Sequence, residues 1–122
     1  MDGCHGPNPE HLKKGAYLLL DPHKGYADCA VIFPEDDSPI LLRAALRLSV
    51  QGITARLIAV KDFALFERQD ENYRRHVLRG DVPLLICARE NCGWTEKVTG
   101  RLIAYGDEAV VANRIKSAIL GE

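Results

Sequence analysis

An α/β domain with a parallel-dominated sheet, covered on both faces, is the fold class these 122 residues predict. Three observations predict it. Short apolar runs rich in branched residues alternate with segments of helical periodicity, the pattern of a sheet with helices on each face. The length suits one domain with one core. Only a short turn, Asp21 to Gly25, separates the first two strand runs. A parallel pair needs a crossover of about a dozen residues or more, so strand one should run antiparallel to strand two.

Residues 1–12 hold two Gly, two Pro, an Asn and two His, a composition that resists helix and strand. They read as a flexible N-terminal arm. The domain proper is residues 13–122. Ala16 to Leu20 is the first strand, and Ala27 to Phe33 the second. Pro34-Glu35-Asp36-Asp37-Ser38-Pro39 punctuates the chain. Ser38 can cap a helix with Pro39 at its first position. Leu41, Ala44, Ala45 and Leu48 then mark one helical face, and Gly52 closes that helix. Ile53 to Val60 is the third strand. Phe63 to Phe66 forms a short helical turn. Asp70 caps a helix running through Arg79, with Gly80 at its end. Its Tyr73 and Val77 face inward. Val82 to Ala88 is the fourth strand and Leu102 to Tyr105 the fifth. Asp107 starts the last helix, with Val111, Ile115, Ala118 and Ile119 on its buried face.

Composition excludes several functions. The formal net charge is −1 and the pI about 6.4, without the basic surplus of a nucleic-acid binder. No apolar run approaches the roughly 18 residues of a membrane span. The start, Met1-Asp2-Gly3-Cys4-His5, lacks a signal pattern. Cys29 and Cys87 lie in apolar strands, where cysteine behaves as a small hydrophobe. Reduced thiols and a cytoplasmic location are expected for Cys4, Cys29, Cys87 and Cys92.

Four groups of residues carry chemistry. The acidic turn Glu35-Asp36-Asp37, with Ser38, follows the second strand; its plain reading is a solvated helix start that complements the dipole. Arg74, Arg75, His76 and Arg79 form a basic stretch, with Glu71 and Arg75 spaced for an i,i+4 pair; a solvated face is the plain reading. Cys4, His5, His11 and Cys92 are metal-ligand types without the spacing that organises a site, so no metal is expected. His23, His76 and Cys92 are pieces of a Cys-His arrangement that sequence does not bring together. No catalytic residue is assigned.

Residues 62–82 carry a more specific signal. Leu65, Phe66, Gln69, Asp70, Tyr73, Arg74, Val77, Leu78, Val82 and Pro83 resemble the "LFDxQDxxYRxxVLP" stretch and following "VP" strand of the transketolase C-terminal domain. Gly93-Trp94 resembles the family's Gly-Trp pair, and Gly15 to Leu19 its entry strand. The resemblance covers residues 13–120. It implies a three-layer α/β/α fold, with a five-stranded mixed sheet of order 1-3-2-4-5 and strand one antiparallel. It also implies the third of three domains, the one without the thiamine diphosphate and Mg²⁺ machinery. The family's Gly-Asp-Gly motif is absent here. Gly80-Asp81 continues with Val82, and Gly106-Asp107 with Glu108.

Taken with this family order, the expected crevice lies at the carboxyl ends of strands two and four. Glu35, Asp36, Asp37, Ser38, Arg89, Glu90 and Asn91 would line it. The family's Thr-Gly-Ser-Glu turn is replaced by Phe33-Pro34-Glu35-Asp36, which disfavours a phosphate. Expected partners are transketolase-type subunits or domains, with a homodimer as the alternative, and neither nucleic acid nor membrane. Phe63, Phe66 and Trp94 are the expected interface aromatics. Trp94 also reads as a packing anchor. The implied function is a noncatalytic structural, interaction or regulatory domain. The alternative is a small-molecule module using the crevice.

Overall fold

The computed structural model describes residues 4–5, 13–22, 27–78, 82–88, 94, 98–103 and 105–120. Its strands are β1 (Cys4–His5), β2 (Ala16–Pro22), β3 (Cys29–Pro34), β4 (Ala55–Val60), β5 (Leu84–Cys87) and β6 (Arg101–Ile103). Its helices are α1 (Ser38–Val50), α2 (Phe63–Glu67), α3 (Glu71–Leu78) and α4 (Glu108–Leu120), with a 3₁₀ turn at Glu35–Asp37.

The sheet order is β1-β2-β4-β3-β5-β6. Strands β2 to β6 are the five expected strands, in the order 1-3-2-4-5. Strand β2 runs antiparallel to β4, and the β4–β3, β3–β5 and β5–β6 pairs are parallel. The strands before and after the first tight connection are therefore not neighbours, because β4 inserts between them.

Two expectations need correction. The arm contributes a sixth strand, in which Cys4 pairs with Pro22 and His5 with Asp21. Strand β2 accordingly runs on through Asp21 and Pro22, where a turn was expected. Any turn between β2 and β3 falls on residues 23–26, outside the described residues.

Every residue of β4 is buried, as is every residue of β3 except Pro34. This is the signature of parallel strands covered on both faces. Side chains alternate between two cores. One packs Val31, Phe33 and Leu57 against Leu41 and Leu48 of α1 and Val111 and Ile115 of α4. The other packs Ile32, Ile58 and Ile86 against Phe66 of α2 and Tyr73 and Val77 of α3. The result is the expected three-layer arrangement, with α1 and α4 on one face and α2 and α3 on the other.

Helix starts are set by side chains. Asp62 accepts the Leu65 N–H at 3.2 Å, Asp70 that of Tyr73 at 2.8 Å, and Asp107 that of Val110 at 3.0 Å. Each satisfies an otherwise orphaned donor of a first turn. Helix α1 differs from expectation. Asp37 occupies the cap position without a side-chain cap bond. The Ser38 hydroxyl instead donates to the Glu35 carbonyl at 2.6 Å, inside the 3₁₀ turn.

Candidate functional site

Strands β3 and β4 end side by side, with Pro34 opposite Val60. Parallel strands present their carboxyl ends at one edge, where loops must diverge and leave a crevice. A cleft of ≈ 370 Å³ opens there, lined by Pro34, Glu35, Asp36, Val60, Lys61, Phe63 and Trp94. Its aromatic wall is built by stacking. The Phe63 and Trp94 rings lie 5.7 Å apart with 19° between their planes, a favourable offset arrangement. Phe63 in turn contacts Phe66 at 5.7 Å between centroids, and Phe66 meets Tyr73 edge-on.

The acidic wall is also anchored. The Tyr17 hydroxyl donates to Glu35 Oε2 at 2.7 Å, fixing the 3₁₀ turn against β2. Burial, then the hydrogen bond and charge of Glu35, push the Tyr17 phenol far up from its ordinary range. Asp36 is exposed at the cleft mouth.

The expected site residues divide. Glu35 and Asp36 line the cleft. Asp37 does not: it is 2% exposed and close enough to Cys87 for its charge to raise that thiol. Ser38 is turned toward the Glu35 carbonyl. Arg89, Glu90 and Asn91 lie outside the described residues. The described cleft sits at the ends of β3 and β4; the β5 side of the expected crevice lies outside the described residues.

Two of the three expected interface aromatics are buried rather than exposed. Phe63 is 8% exposed and Phe66 1%. Both are core residues of the α2–α3 layer, and Trp94, half-buried, packs on them. The sequence reading missed Tyr17, Val60 and Lys61. The position of Val60 and Lys61 at a strand's carboxyl end was the available signal; the partner of Tyr17 is 18 residues away and leaves none.

The described residues offer no set of groups suited to the diphosphate of thiamine diphosphate and its Mg²⁺. Asp107 of the second Gly-Asp pair is engaged in capping α4. Among the described residues no group of three or more His, Cys, Asp or Glu could hold a metal ion. His76 lies beside Tyr73, while His23 and Cys92 fall outside the described residues. No helix of the described residues is long and apolar enough to cross a membrane.

The two buried thiols give a pH prediction. Burial, then the charge of Asp37, pushes Cys87 up to about 11. Burial, then the charge of Asp28, pushes Cys29 up to about 12. The folded state thus holds these protons more tightly than the unfolded state. That contribution is intact below the ordinary value of 9.0 and is lost as pH rises through these values. Urea midpoints should fall between pH 9 and 11, less steeply in a Cys29→Ala/Cys87→Ala variant. An equal fall in both proteins would contradict the assignment.

Comparison with known proteins agrees with the fold. Residues 15–112 match the family described as the transketolase-like TK C-terminal domain. The transketolase of Aquifex aeolicus is 32% identical over 100 residues, which cover 80% of this chain and 14% of that protein. Transketolase 2 of Escherichia coli is 32% identical over 73 residues, 60% of this chain and 11% of that protein. A transketolase structure from Pichia stipitis superposes with a TM-score of 0.80 at 23% identity, covering 92% of this chain and 19% of that one. The Campylobacter jejuni transketolase superposes at 0.72 and 20% identity, over 97% and 20%. The chain thus spans only about a seventh of the Aquifex relative, at one domain's worth of sequence. With four-fifths of its length inside the family match, the chain belongs to the transketolase C-terminal domain family.

Proposed function

We propose that these residues form a noncatalytic interaction domain of a transketolase-type, thiamine diphosphate-dependent assembly in the cytoplasm. The observation that carries this reading is the reach of the match. It covers one domain, 14% of the Aquifex relative, and Asp62, Asp70 and Asp107 of that domain are engaged in helix caps. Cofactor chemistry needs protein groups that bind and orient the cofactor; here the neighbouring domains of the assembly would supply them. The domain contributes a folded surface against which they pack. Calorimetric titration of the isolated chain with thiamine diphosphate and Mg²⁺ should show no binding. Micromolar affinity, or ketol transfer by the chain alone, would sink the proposal.

The cleft favours a second reading, as a small-molecule module. Its stacked aromatic wall faces two carboxylates and the Lys61 position. Carboxylates that repel phosphate accept hydrogen bonds from hydroxyls or ammonium groups. The chain's single tryptophan is in the wall. A saturable change in its fluorescence on adding a neutral sugar or an organic amine, absent in Trp94→Phe, would favour this reading.

A further inference from the structure

Helix α1 buries Leu41, Ala44, Ala45 and Leu48, yet its outer side is apolar as well. Leu42, Leu46 and Val50 are 39%, 68% and 83% exposed. They recur every four residues, so they form one line along the outer side, about 12 Å long at 1.5 Å per residue. Surface helices of soluble domains ordinarily carry polar residues there.

The charge around this line is one-sided. Helix α1 has Arg43 and Arg47 and no acidic residue. The neighbouring α4 adds Arg114 and Lys116 against Glu108 alone. Glu108 is already engaged, accepting from Arg47 Nε at 2.9 Å. This layer is therefore basic in a chain whose formal net charge is −1.

We propose that the outer face of α1 docks an apolar helix edged with carboxylates, carried by a partner polypeptide. The apolar line supplies contact area, while Arg43 and its neighbours select the sign of the partner's edge. A second copy is a poor occupant. Pairing α1 with α1 sets arginine against arginine with no carboxylate on either helix to offset it. This deepens the interaction reading above by naming its surface and its partner's chemistry.

Two fluorescent helical peptides test it, with the same leucine face but flanked by glutamates in one and lysines in the other. The glutamate peptide should bind the chain about tenfold more tightly than the lysine peptide at low salt, a difference of about 1.4 kcal/mol. The difference should shrink as salt screens the charges. Leu46→Glu and Val50→Asp should abolish binding while leaving the circular dichroism spectrum unchanged, since both side chains are exposed. Arg43→Glu should narrow or reverse the preference. Equal binding of the two peptides, or none, would overturn the proposal. So would concentration-dependent self-association removed by Leu46→Glu. The peptides contain no part of a transketolase, so this result and the assembly test below can fail independently.

Discussion

Arg56→Ala should lower the free energy of unfolding by about 3–5 kcal/mol, the cost of breaking a buried ion pair from one side. Arg56 is 0% exposed, on a strand hydrogen-bonded to neighbours on both sides. It shares the parity of Ile58 and Val60, so it enters the α2–α3 layer. Its Nε stands 3.5 Å from Asp21 Oδ1, on the adjacent β2. At that distance the contact is an ion pair more than a hydrogen bond, and both groups make further interactions. Alanine removes the cation and leaves a cavity beside a carboxylate whose side chain is only 18% exposed. A domain of this kind has only about 5–15 kcal/mol to lose. The double variant Arg56→Met/Asp21→Leu should recover most of the loss, because apolar residues of similar volume replace such pairs at little cost. Urea denaturation of the three proteins measures both effects. A single variant within about 0.5 kcal/mol of the parent, the range of ordinary surface changes, would deny the pair its role.

Gly15→Ala should be almost as damaging, at about 2–5 kcal/mol. Gly15 has φ +89°, and an added Cβ would stand 2.2 Å from the Asp62 carbonyl oxygen and 2.6 Å from the Phe66 backbone nitrogen. The left-handed conformation alone costs a residue with a Cβ about 1–2 kcal/mol. Overpacking against backbone adds about 1–3 kcal/mol. The Gly15 carbonyl also accepts the N–H groups of Lys61 and Asp62, at 2.7 and 2.9 Å. Moving it would disturb the end of β4 and the cleft beside it. Gly52 is the control: its φ is +82° but nothing lies within 4 Å of the added Cβ. Gly52→Ala should therefore cost only the backbone strain, about 1–2 kcal/mol. Equal losses at the two glycines would show that the close approach at Gly15 contributes nothing.

Much of this fold was legible because its signals are local. The inner face of α1 follows from spacing alone: Leu41, Ala44, Ala45 and Leu48 are all buried. Asp70 and Asp107 cap their helices where the following periodicity placed them. The strand order came from the family resemblance, since periodicity does not say which strands are neighbours.

What escaped the sequence is long-range. The pairing of Cys4–His5 with Asp21–Pro22 joins a Gly- and Pro-rich segment to a strand end without a local cue. Arg56 looks like any strand arginine until both neighbouring strands are in place. Phe63 and Phe66 were read as surface aromatics because a five-residue helix has too few turns to show a face, yet both are core. Asp37 sat in an acidic run that reads as solvated, but the 3₁₀ turn rotates it inward while Asp36 stays out. At the cleft, Glu35 and Asp36 were legible as lining residues, while the burial of Phe63 and Phe66 behind Trp94 was not.

The most direct test of the interaction-domain proposal is reconstitution. A transketolase truncated of its own C-terminal domain is mixed with this chain and followed by sedimentation velocity. The expected result is a complex in which the two co-sediment, with thiamine diphosphate bound only by the truncated partner. Separate sedimentation of two folded proteins at every concentration tried, or cofactor bound by this chain, would contradict it.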